Sequence, residues 1–433
     1  MSPRELLIDS FRAALSAADP LQIVPAHLPA PPKGRTVVVG AGKAAAAMAK
    51  AVETEWPADA PIEGVVITRY AHGYASADGI AAPAARIRVL EAGHPVPDEA
   101  GVNAAKEILA LAQSLNADDL LLVLVSGGGS SLLSLPVAGI TMTDLKAVTS
   151  ELLACGAPIQ EMNIVRKHLS AIQGGRLAAA TAARVLSLII SDVTGDDPSA
   201  IASGPTAPDP STYQDALDIL SAYRIVSPLS VIRHLSNGAR GDIAETLKPG
   251  DAIFELVENR VIATPHASLS RAAAFFQQRG ITPMVLGDSV TGEAREVAKV
   301  HAALTRQIQQ HHHPLKPPMA IISGGECTVT LRTAGVGRGG RCSEFLLSLA
   351  IDLDSRENVF ALACDTDGID GSEDNAGAYL EPGSLRRARL GELQPKALLG
   401  ANDAYGFFSP LDDLIFTGPT RTNVNDYRVI LIL

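Results

Sequence analysis

The sequence contains few aromatic residues, few cysteines and no long apolar run. Phe, Trp and Tyr make up 4% of the 433 residues. The core must therefore be built from Ala, Leu, Val and Ile, a mixture typical of helices that cover a parallel sheet. The four cysteines lie far apart and form no Cys-x-x-Cys pair, which argues against a zinc site or a disulfide framework. The apolar run at 120–125 is far too short to span a bilayer.

A strong basic excess is also lacking, since the formal net charge is −11. Nucleic acids and anionic membranes are bound through such an excess, so neither is expected as a partner. The first residues show no basic start followed by an apolar core, so we predict no secretory signal and expect a cytoplasmic location. Hydrophobic residues make up 47% and charged residues 19%, which indicates a large buried core.

Short apolar runs alternate with Ala-rich helical stretches along the whole chain. Strands separated by helices of about 10 to 15 residues predict parallel sheets with helices on both faces. The predicted fold class is therefore α/β, with a Rossmann-like sheet in the larger, N-terminal domain. Residues 236–250 carry Gly, Pro and charge without periodicity, and a new strand and helix series follows them. We place the division there and predict domains over residues 1–245 and 246–433.

The first glycine turn, GAGKAA, begins at Gly40 and includes Gly42 and Lys43. It matches G-x-G-x-x-A between a strand and a helix, the context of a dinucleotide-binding turn, so an NAD(P)-dependent enzyme is a real alternative. The next strand ends in Thr68 and Arg69, without the acid that binds a ribose, although an Arg could accept the 2′-phosphate of NADP. Lys43 at a helix start favours binding of phosphate or carboxylate. Close packing of helix and strand is the structural alternative.

A second turn follows the apolar run at 120–125 and consists of Ser126, Gly127, Gly128, Gly129 and Ser130. Three consecutive glycines allow backbone N–H groups to converge on an anion, and the flanking hydroxyls add donors. A tight connection between strand and helix is the alternative. The pattern favours phosphate or carboxylate binding.

Charged side chains cluster at two further places in the first half. Asp192 follows a predicted strand directly, as a metal ligand or catalytic carboxylate would, whereas Asp196 and Asp197 are also explained by an Asx-turn before a proline. Arg166 and Lys167 lie together on a predicted helix and could bind an acidic substrate. The alternative for this pair is a solvated helix surface.

The second half again places glycine turns, cations and carboxylates after apolar runs. Phosphoryl transfer needs this combination, because its catalysis is mostly positioning and charge stabilisation with Mg²⁺. We predict Asp192, Glu326 and Asp367 as metal ligands. The candidate residues of this half are Gly324, Gly325, Glu326, Gly340, Arg341, Asp367, Asn423 and Asn425.

The motifs occur in an order that resembles one family. GAGKAA, GHPVPDE, LVSGGGSSLL, NIVRKHLSAIQGGRLA, SDVTGDDPSAIASGPT, SGGE, GRGGRCSE, DGIDG and TGPTRTNVND follow one another over about residues 5 to 430. This series is similar to that of the glycerate 2-kinases, also called MOFRL or tartrate-utilisation-type kinases. Many members carry the label hydroxypyruvate reductase, and an NAD(P)H-dependent hydroxypyruvate reductase remains the alternative function.

The resemblance implies two α/β domains with the active site in the cleft between them. It implies phosphorylation of D-glycerate by ATP, with Mg²⁺, at the 2-hydroxyl. The important cations of the family match Lys43 and Arg341. On this interpretation Lys43 and the glycine-turn amides stabilise the phosphoryl group, Asp192 accepts the hydroxyl proton or holds Mg²⁺, and Arg341 anchors a carboxylate or phosphate.

One motif departs from the family pattern. Members usually continue G-G-R-N-Q-E, whereas Cys342 and Ser343 follow Arg341 here. Contacts made by those two side chains are therefore less secure than Arg341 itself. The expected partners are the small molecules glycerate and ATP, and a homodimer is the oligomer considered.

Overall fold

The fold is described from a computed structural model that covers residues 1–73, 86–331 and 337–433. Its helices are α1 Pro3–Ser16, α2 Pro20–Ile23, α3 Ala45–Glu55, α4 Glu99–Gln113, α5 Gly129–Leu132, α6 Met142–Ala154, α7 Ile159–His168, α8 Arg176–Ala179, α9 Tyr213–Ala222, α10 Leu229–Ala239, α11 Pro265–Gln277, α12 Ala294–His311, α13 Arg341–Leu353, α14 Ser384–Leu390, α15 Pro395–Gly400 and α16 Ala404–Phe408. Its strands are β1 Thr36–Ala41, β2 Ile62–Arg69, β3 Ile87–Ala92, β4 Leu120–Val125, β5 Arg184–Ile190, β6 Val257–Ala263, β7 Thr282–Gly287, β8 Gly292–Glu293, β9 Met319–Ser323, β10 Cys327–Thr328, β11 Val359–Asp365, β12 Gly377–Leu380, β13 Leu414–Ile415 and β14 Asp426–Ile432. None of these helices is long and apolar enough to cross a membrane.

The chain divides into two compact units. One unit, here called the inner unit, contains Pro20–Ile262, and the other, the outer unit, combines Met1–Asp19 with Ala263–Leu433. The division predicted near residue 245 differs from this one, because Asn259 accepts a hydrogen bond from the Thr206 hydroxyl at 2.8 Å and β6 lies beside β5. The residue 245 boundary stays a prediction about domains.

The sheet of the inner unit has the strand order β3-β2-β1-β4-β5-β6. The pairs from β3 to β5 are all parallel, and every residue of β1 and β4 is buried, as expected for strands that are covered on both faces. This order is that of a Rossmann-like sheet, so the fold class predicted for the larger domain is confirmed. The order reverses between β1 and β4, which creates a crevice at their carboxyl ends.

The sheet of the outer unit has the order β13-β12-β11-β14-β9-β7 and is mixed. Strands β7 and β9 are parallel, while the other neighbours are antiparallel. The expectation of parallel sheets throughout is therefore wrong for this unit. The physical reason is the short link at 366–376, which joins β11 to β12 without the crossover helix that a parallel pair requires.

Helix α1 belongs to the outer unit although it opens the chain. Ser2 and Glu5 form a capping box at its start. Leu7 and Phe11 pack into a cluster that includes Phe276 of α11 and Tyr427 of β14. The first helix is thus part of the core around the second sheet.

Candidate active site

The two glycine turns predicted in the first half contact each other at the crevice between β1 and β4. Gly42 has a φ of 142°, and a Cβ on it would lie 2.1 Å from Ser126 Oγ. The N–H of Ala44 donates to Ser126 Oγ at 3.0 Å, and the N–H of Lys43 donates to the Gly127 carbonyl at 2.8 Å. A side chain at position 42 would clash with Ser126, so glycine permits the contact between the two turns.

Lys43 and His94 flank the second glycine of the SGGGSS turn. Gly128 has a φ of 81°, and a Cβ on it would lie 2.9 Å from His94 Nε2 and 3.5 Å from Lys43 Cγ. The structure therefore brings the predicted cation to the predicted anion-binding turn. His94 was missed as a candidate residue. The GHPVPDE motif around it contributed to the family resemblance but indicated no role for the imidazole.

Several groups of these turns are engaged in holding the turns together. A Cβ on Gly40 would lie 2.0 Å from the Leu124 carbonyl oxygen, so close packing of strands accounts for that glycine. The N–H groups of Ser126 and Gly129 donate to the carbonyls of Ala41 and Ser126. Direct binding by these three residues stays a prediction.

Ser130 lies next to a segment with unusual backbone angles. Its hydroxyl accepts a hydrogen bond from the Ser203 hydroxyl at 2.9 Å. Ser203 and Ala202 both have positive φ angles, of 59° and 50°, which non-glycine residues adopt only at an energetic cost. Such strain is typical of functional sites, and sequence patterns gave no sign of it.

Asp192 follows β5 at the same edge of the sheet as both glycine turns. In the strand register Ala41 lies beside Val125, and Val125 lies beside Ile189. Asp192 is half-buried. Asp197 accepts hydrogen bonds from the N–H and the hydroxyl of Ser199, both at 2.9 Å, which is the turn expected for it. Because its turn accounts for Asp197, Asp192 stays the carboxylate that we predict to act at this edge.

The adjacent cations of α7 have different surroundings. Lys167 forms a buried ion pair with Asp209 at 2.7 Å, and it is 6% exposed. Burial would raise the pKa of the Asp209 carboxyl, but Lys167 holds that pKa below its usual range. A structural role thus accounts for Lys167, and a binding role for it stays a prediction. The Arg166 guanidinium donates to Asn163 Oδ1 at 3.3 Å and lines a pocket beside Ser130.

In the outer unit, Arg341 lies among three carboxylates. Its Nε is 2.7 Å from Asp426 Oδ1, its Nη2 is 2.6 Å from Asp365 Oδ2 and its Nη1 is 2.9 Å from Glu326 Oε1. Burial would lower the pKa of the guanidinium, but the carboxylates raise it well above its usual value. The structure therefore brings the predicted residues Arg341 and Glu326 together.

Sheet register explains how this cluster forms. Asp365 ends β11 and Asp426 begins the antiparallel strand β14, and the two are register partners. Both aspartates are buried, whereas the Glu326 side chain is 56% exposed. Asp426 was missed from the sequence, since its proximity to Arg341 depends on an antiparallel pairing that the repeated strand and helix pattern did not indicate.

The remaining candidates of the outer unit mainly stabilise its turns. Asp367 accepts the N–H of Ile369 at 2.9 Å, and the Asn425 carbonyl accepts the N–H of Thr366 at 3.1 Å. The N–H of Gly324 donates to Gly287, the carbonyl of Gly325 accepts from Asp426, the N–H of Gly340 donates to Ser343, and the side chain of Asn423 accepts from the N–H of Asn425. Ligand contacts by Gly324, Gly325, Gly340, Asp367, Asn423 and Asn425 stay predictions.

The departure from the family motif lies at the start of α13. Cys342 is fully buried, and its N–H and that of Ser343 donate to the Asp370 carboxylate at 2.9 and 2.8 Å. Burial raises the pKa of the Asp370 carboxyl and raises that of the Cys342 thiol well above its usual value. The thiol therefore fills core space, and Asp370 fixes the helix start on which Arg341 lies.

Within the described residues, no group of three or more His, Cys, Asp or Glu side chains is arranged to hold a metal ion. Mg²⁺ at phosphoryl-transfer sites is held by one or two carboxylates and the substrate phosphates. Asp192 is half-buried and follows β5 at the same sheet edge as the glycine turns, which fits that requirement. Glu326 instead contacts Arg341, and Asp367 closes its own turn.

Comparisons with known proteins cover both units. Residues 6–236 match a family described as a domain of unknown function, DUF4147, and residues 319–426 match the MOFRL family. A glycerate 2-kinase of Pyrococcus horikoshii is 37% identical over 92% of this chain and 88% of its own length. A D-glycerate 2-kinase of Thermotoga maritima is 37% identical over 100% of this chain and 99% of its own. A protein of Agrobacterium vitis called a putative hydroxypyruvate reductase is 50% identical over 100% of this chain and 95% of its own.

Solved structures agree with these sequence matches. A crystal structure of a glycerate kinase from Thermotoga maritima has a TM-score of 0.84 at 36% identity and covers 99% of both chains. A crystal structure from Pyrococcus horikoshii has a TM-score of 0.80, also at 36% identity, and covers 100% of this chain and 99% of its own. With both family matches and these relatives over nearly its whole length, the chain belongs to the MOFRL-type glycerate 2-kinase family.

Proposed function

We propose that this protein transfers the γ-phosphoryl group of ATP to the 2-hydroxyl of D-glycerate and releases ADP and 2-phosphoglycerate. The observation that carries the proposal is the contact between two glycine turns at the sheet crevice, with Lys43 beside Gly128. Relatives named glycerate 2-kinase and D-glycerate 2-kinase support the substrate.

The reaction assigns a task to each group at the crevice. A bond forms between the acceptor oxygen and the γ-phosphorus, and the bond from that phosphorus to the bridging oxygen of ADP breaks. Asp192 has one of two tasks: its carboxylate accepts the hydroxyl proton, or it holds Mg²⁺ beside the ATP phosphates. The Lys43 ammonium and the N–H groups of Gly127 and Gly128 stabilise charge on the transferred group, as donors fixed in advance do in other phosphoryl-transfer sites.

Mg²⁺ would neutralise charge on the ATP phosphates when bound. Of the predicted ligands, we propose Asp192 as the main protein contact, and Glu326 and Asp367 as secondary ones. A carboxylate that holds Mg²⁺ is a poor base, so a titration with Mg²⁺ separates the two roles of Asp192.

Arg341 is proposed to act by holding carboxylates in place. Its three nitrogens already contact Glu326, Asp365 and Asp426, which leaves at most two of the five N–H donors for a substrate carboxylate. Its proposed task is to fix the two buried aspartates, with the exposed Glu326 as the partner that exchanges most easily. An active site in a cleft between two domains, a cytoplasmic location and a homodimer also remain predictions.

The alternative function is reduction of hydroxypyruvate with NADH or NADPH, which the name of the 50% identical relatives suggests. Against NADH, strand β2 ends in Thr68 and Arg69 without an acid for the ribose. Against either nucleotide, Ser126 fills the space beside Gly42. The experiment incubates purified protein with D-glycerate, ATP and Mg²⁺, and identifies the product by phosphorus NMR. A second sample receives hydroxypyruvate with NADH or NADPH and is followed by absorbance. Oxidation of the nicotinamide without any phosphoglycerate would contradict the proposal.

A further inference from the structure

The pocket beside the SGGGSS turn contains Arg166, a cation to which the proposed reaction assigns no task. Its polar lining consists of Ser130, Ser131, Ser134, Thr149, Arg166, Ser170 and Gln173, and apolar side chains complete it. Arg166 lies in the last turn of α7, and its side chain is half-buried. The pocket thus begins where the proposed phosphate-binding turn ends, since Ser130 belongs to both.

The surroundings of Arg166 differ from those of Lys167 and Arg341. Lys167 is paired with Asp209, and Arg341 contacts three carboxylates. Within the described ranges, the Arg166 guanidinium has a neutral partner, Asn163, and forms no ion pair with a carboxylate. Burial lowers the pKa of the Arg166 guanidinium, and no neighbouring carboxylate raises it. A partly desolvated guanidinium without a counter-ion is costly, so it indicates that an anionic ligand is the missing partner.

The hydroxyls of the pocket indicate what else the ligand carries. Ser131 donates its proton to the Gly128 carbonyl at 3.1 Å, and Ser134 donates to the Ser131 carbonyl at 2.8 Å. The oxygens of Ser131 and Ser134 therefore keep acceptor capacity, whereas the Ser130 hydroxyl accepts from Ser203 and keeps its proton as a donor. The amide of Gln173 donates to the carbonyls of Ser130 and Leu133. The pocket thus combines one cation with hydroxyls that can accept or donate, the set of groups that a small hydroxy acid requires.

We propose that the Arg166 pocket binds the acceptor substrate, with the guanidinium on its carboxylate and the serine oxygens on a hydroxyl that does not react. The ligand class is a small hydroxy carboxylic acid, and the assignment rests on the proposed kinase function. It moves the role of carboxylate anchor, predicted for Arg341, to Arg166. The fork of the guanidinium suits a carboxylate through two parallel N–H bonds, which lysine cannot reproduce.

The test compares Arg166→Gln and Arg166→Lys with wild type in steady-state kinetics, varying D-glycerate and ATP separately. Arg166→Gln should raise the KM for glycerate by about 10-fold or more, the scale of a lost charge-assisted hydrogen bond, and leave the KM for ATP within about 2-fold. The KM of Arg166→Lys for glycerate should lie between those of wild type and Arg166→Gln. Arg233→Gln is the matched control, because this exposed arginine of α10 carries the same charge, and both KM values should stay unchanged.

Thermal unfolding gives a readout that does not require catalysis. Arg166→Gln removes a desolvated charge without an ion pair, so the melting temperature should equal or exceed that of wild type. D-glycerate should raise the melting temperature of wild type and of Arg233→Gln, but not that of Arg166→Gln. Glycerol, which lacks the carboxylate, should raise none of them.

The possible outcomes separate this assignment from the kinase proposal. A raised KM for ATP with an unchanged KM for glycerate would overturn it and assign the pocket to a phosphate. Unchanged values for both substrates would overturn it as well, while the kinase proposal would stand. If wild type forms no phosphoglycerate, the kinase proposal fails, and a glycerate-dependent thermal shift that Arg166→Gln abolishes would still support the pocket.

Discussion

At the scale of single residues, Lys43 has the position of a charge-stabilising group. Its side chain lies beside Gly128 and near the His94 ring, at the carboxyl end of a buried strand. Lys50 lies on the following helix, α3, and is exposed. The two lysines therefore form a matched pair for a test of local function.

We expect Lys43→Ala to lower kcat by about 100-fold or more, the scale of losing one donor that stabilises transition-state charge. Lys50→Ala should leave kcat within about 2-fold, because an exposed lysine away from the crevice contributes little. Both variants should unfold at the temperature of wild type. Phosphoglycerate formation at saturating substrates provides the measurement, and near-normal turnover by a folded Lys43→Ala would remove Lys43 from the site.

Asp192 can act as a base or as a metal ligand. Asp197, in the same loop after β5, provides a matched control. Asp192→Asn keeps the side-chain volume but removes charge and basicity, so we expect near-complete loss of activity with ATP affinity retained. Asp197→Asn should have little effect, since Asp197 is exposed and contacts Ser199. A titration with Mg²⁺ separates the roles. Recovery at high Mg²⁺ would identify a ligand, whereas no recovery supports the base.

At the scale of elements, the first turn of α13 places Arg341 at the ends of β11 and β14, in the sheet of the outer unit. Asp370 fixes the helix start through the N–H groups of Cys342 and Ser343, and Arg341 reaches the ends of β11 and β14 from that start. Sequence patterns indicated β11, the glycine turns and Arg341 as a candidate, but they gave no strand at β14. They did not identify Asp426 as its partner, because strand order and direction depend on pairings distant in sequence.

We expect Arg341→Ala to lower both stability and kcat. Removal of the guanidinium leaves Asp365 and Asp426 buried without their main partner, which costs about 3 to 5 kcal/mol of unfolding free energy in other buried ion pairs. Arg338→Ala is the control, because Arg338 lies in the same turn but pairs with Glu373 at an exposed position. Urea unfolding and steady-state kinetics are the measurements.

The kinetic pattern of Arg341→Ala also tests the role given to this residue. If Arg341 only positions carboxylates, kcat should fall by about 100-fold, the scale of misplacing reactive groups by about 1 Å, with little change in the KM for glycerate. A raised KM for glycerate at normal kcat would instead make Arg341 the carboxylate anchor. That result would also contradict the assignment of the glycerate carboxylate to Arg166.

At the scale of the whole molecule, sequence order and spatial grouping differ. The Rossmann-like sheet follows from short apolar runs and intervening helices, and it could be predicted. The assignment of α1 to the outer unit could not, because an amphipathic helix shows which face is buried but not which sheet covers it. The packing of Phe11 assigns α1 to the outer unit. Its ring stacks on Tyr427 with centroids 5.8 Å apart, although the two residues are at opposite ends of the chain.

Phe11→Ala should therefore destabilise the outer unit and not the inner unit that follows it in sequence. Phe11 is 1% exposed, and truncation of a buried Phe costs about 3 to 5 kcal/mol of unfolding free energy. Hydrogen exchange should show faster exchange in α11, β11 and β14, while β1, β2 and β4 keep their wild-type protection. Arg12→Ala is the control, because Arg12 is exposed and pairs with its helix neighbour Asp9. Loss of protection in β1 and β2 would show that α1 stabilises the inner unit, and the division at Asp19 would then be wrong.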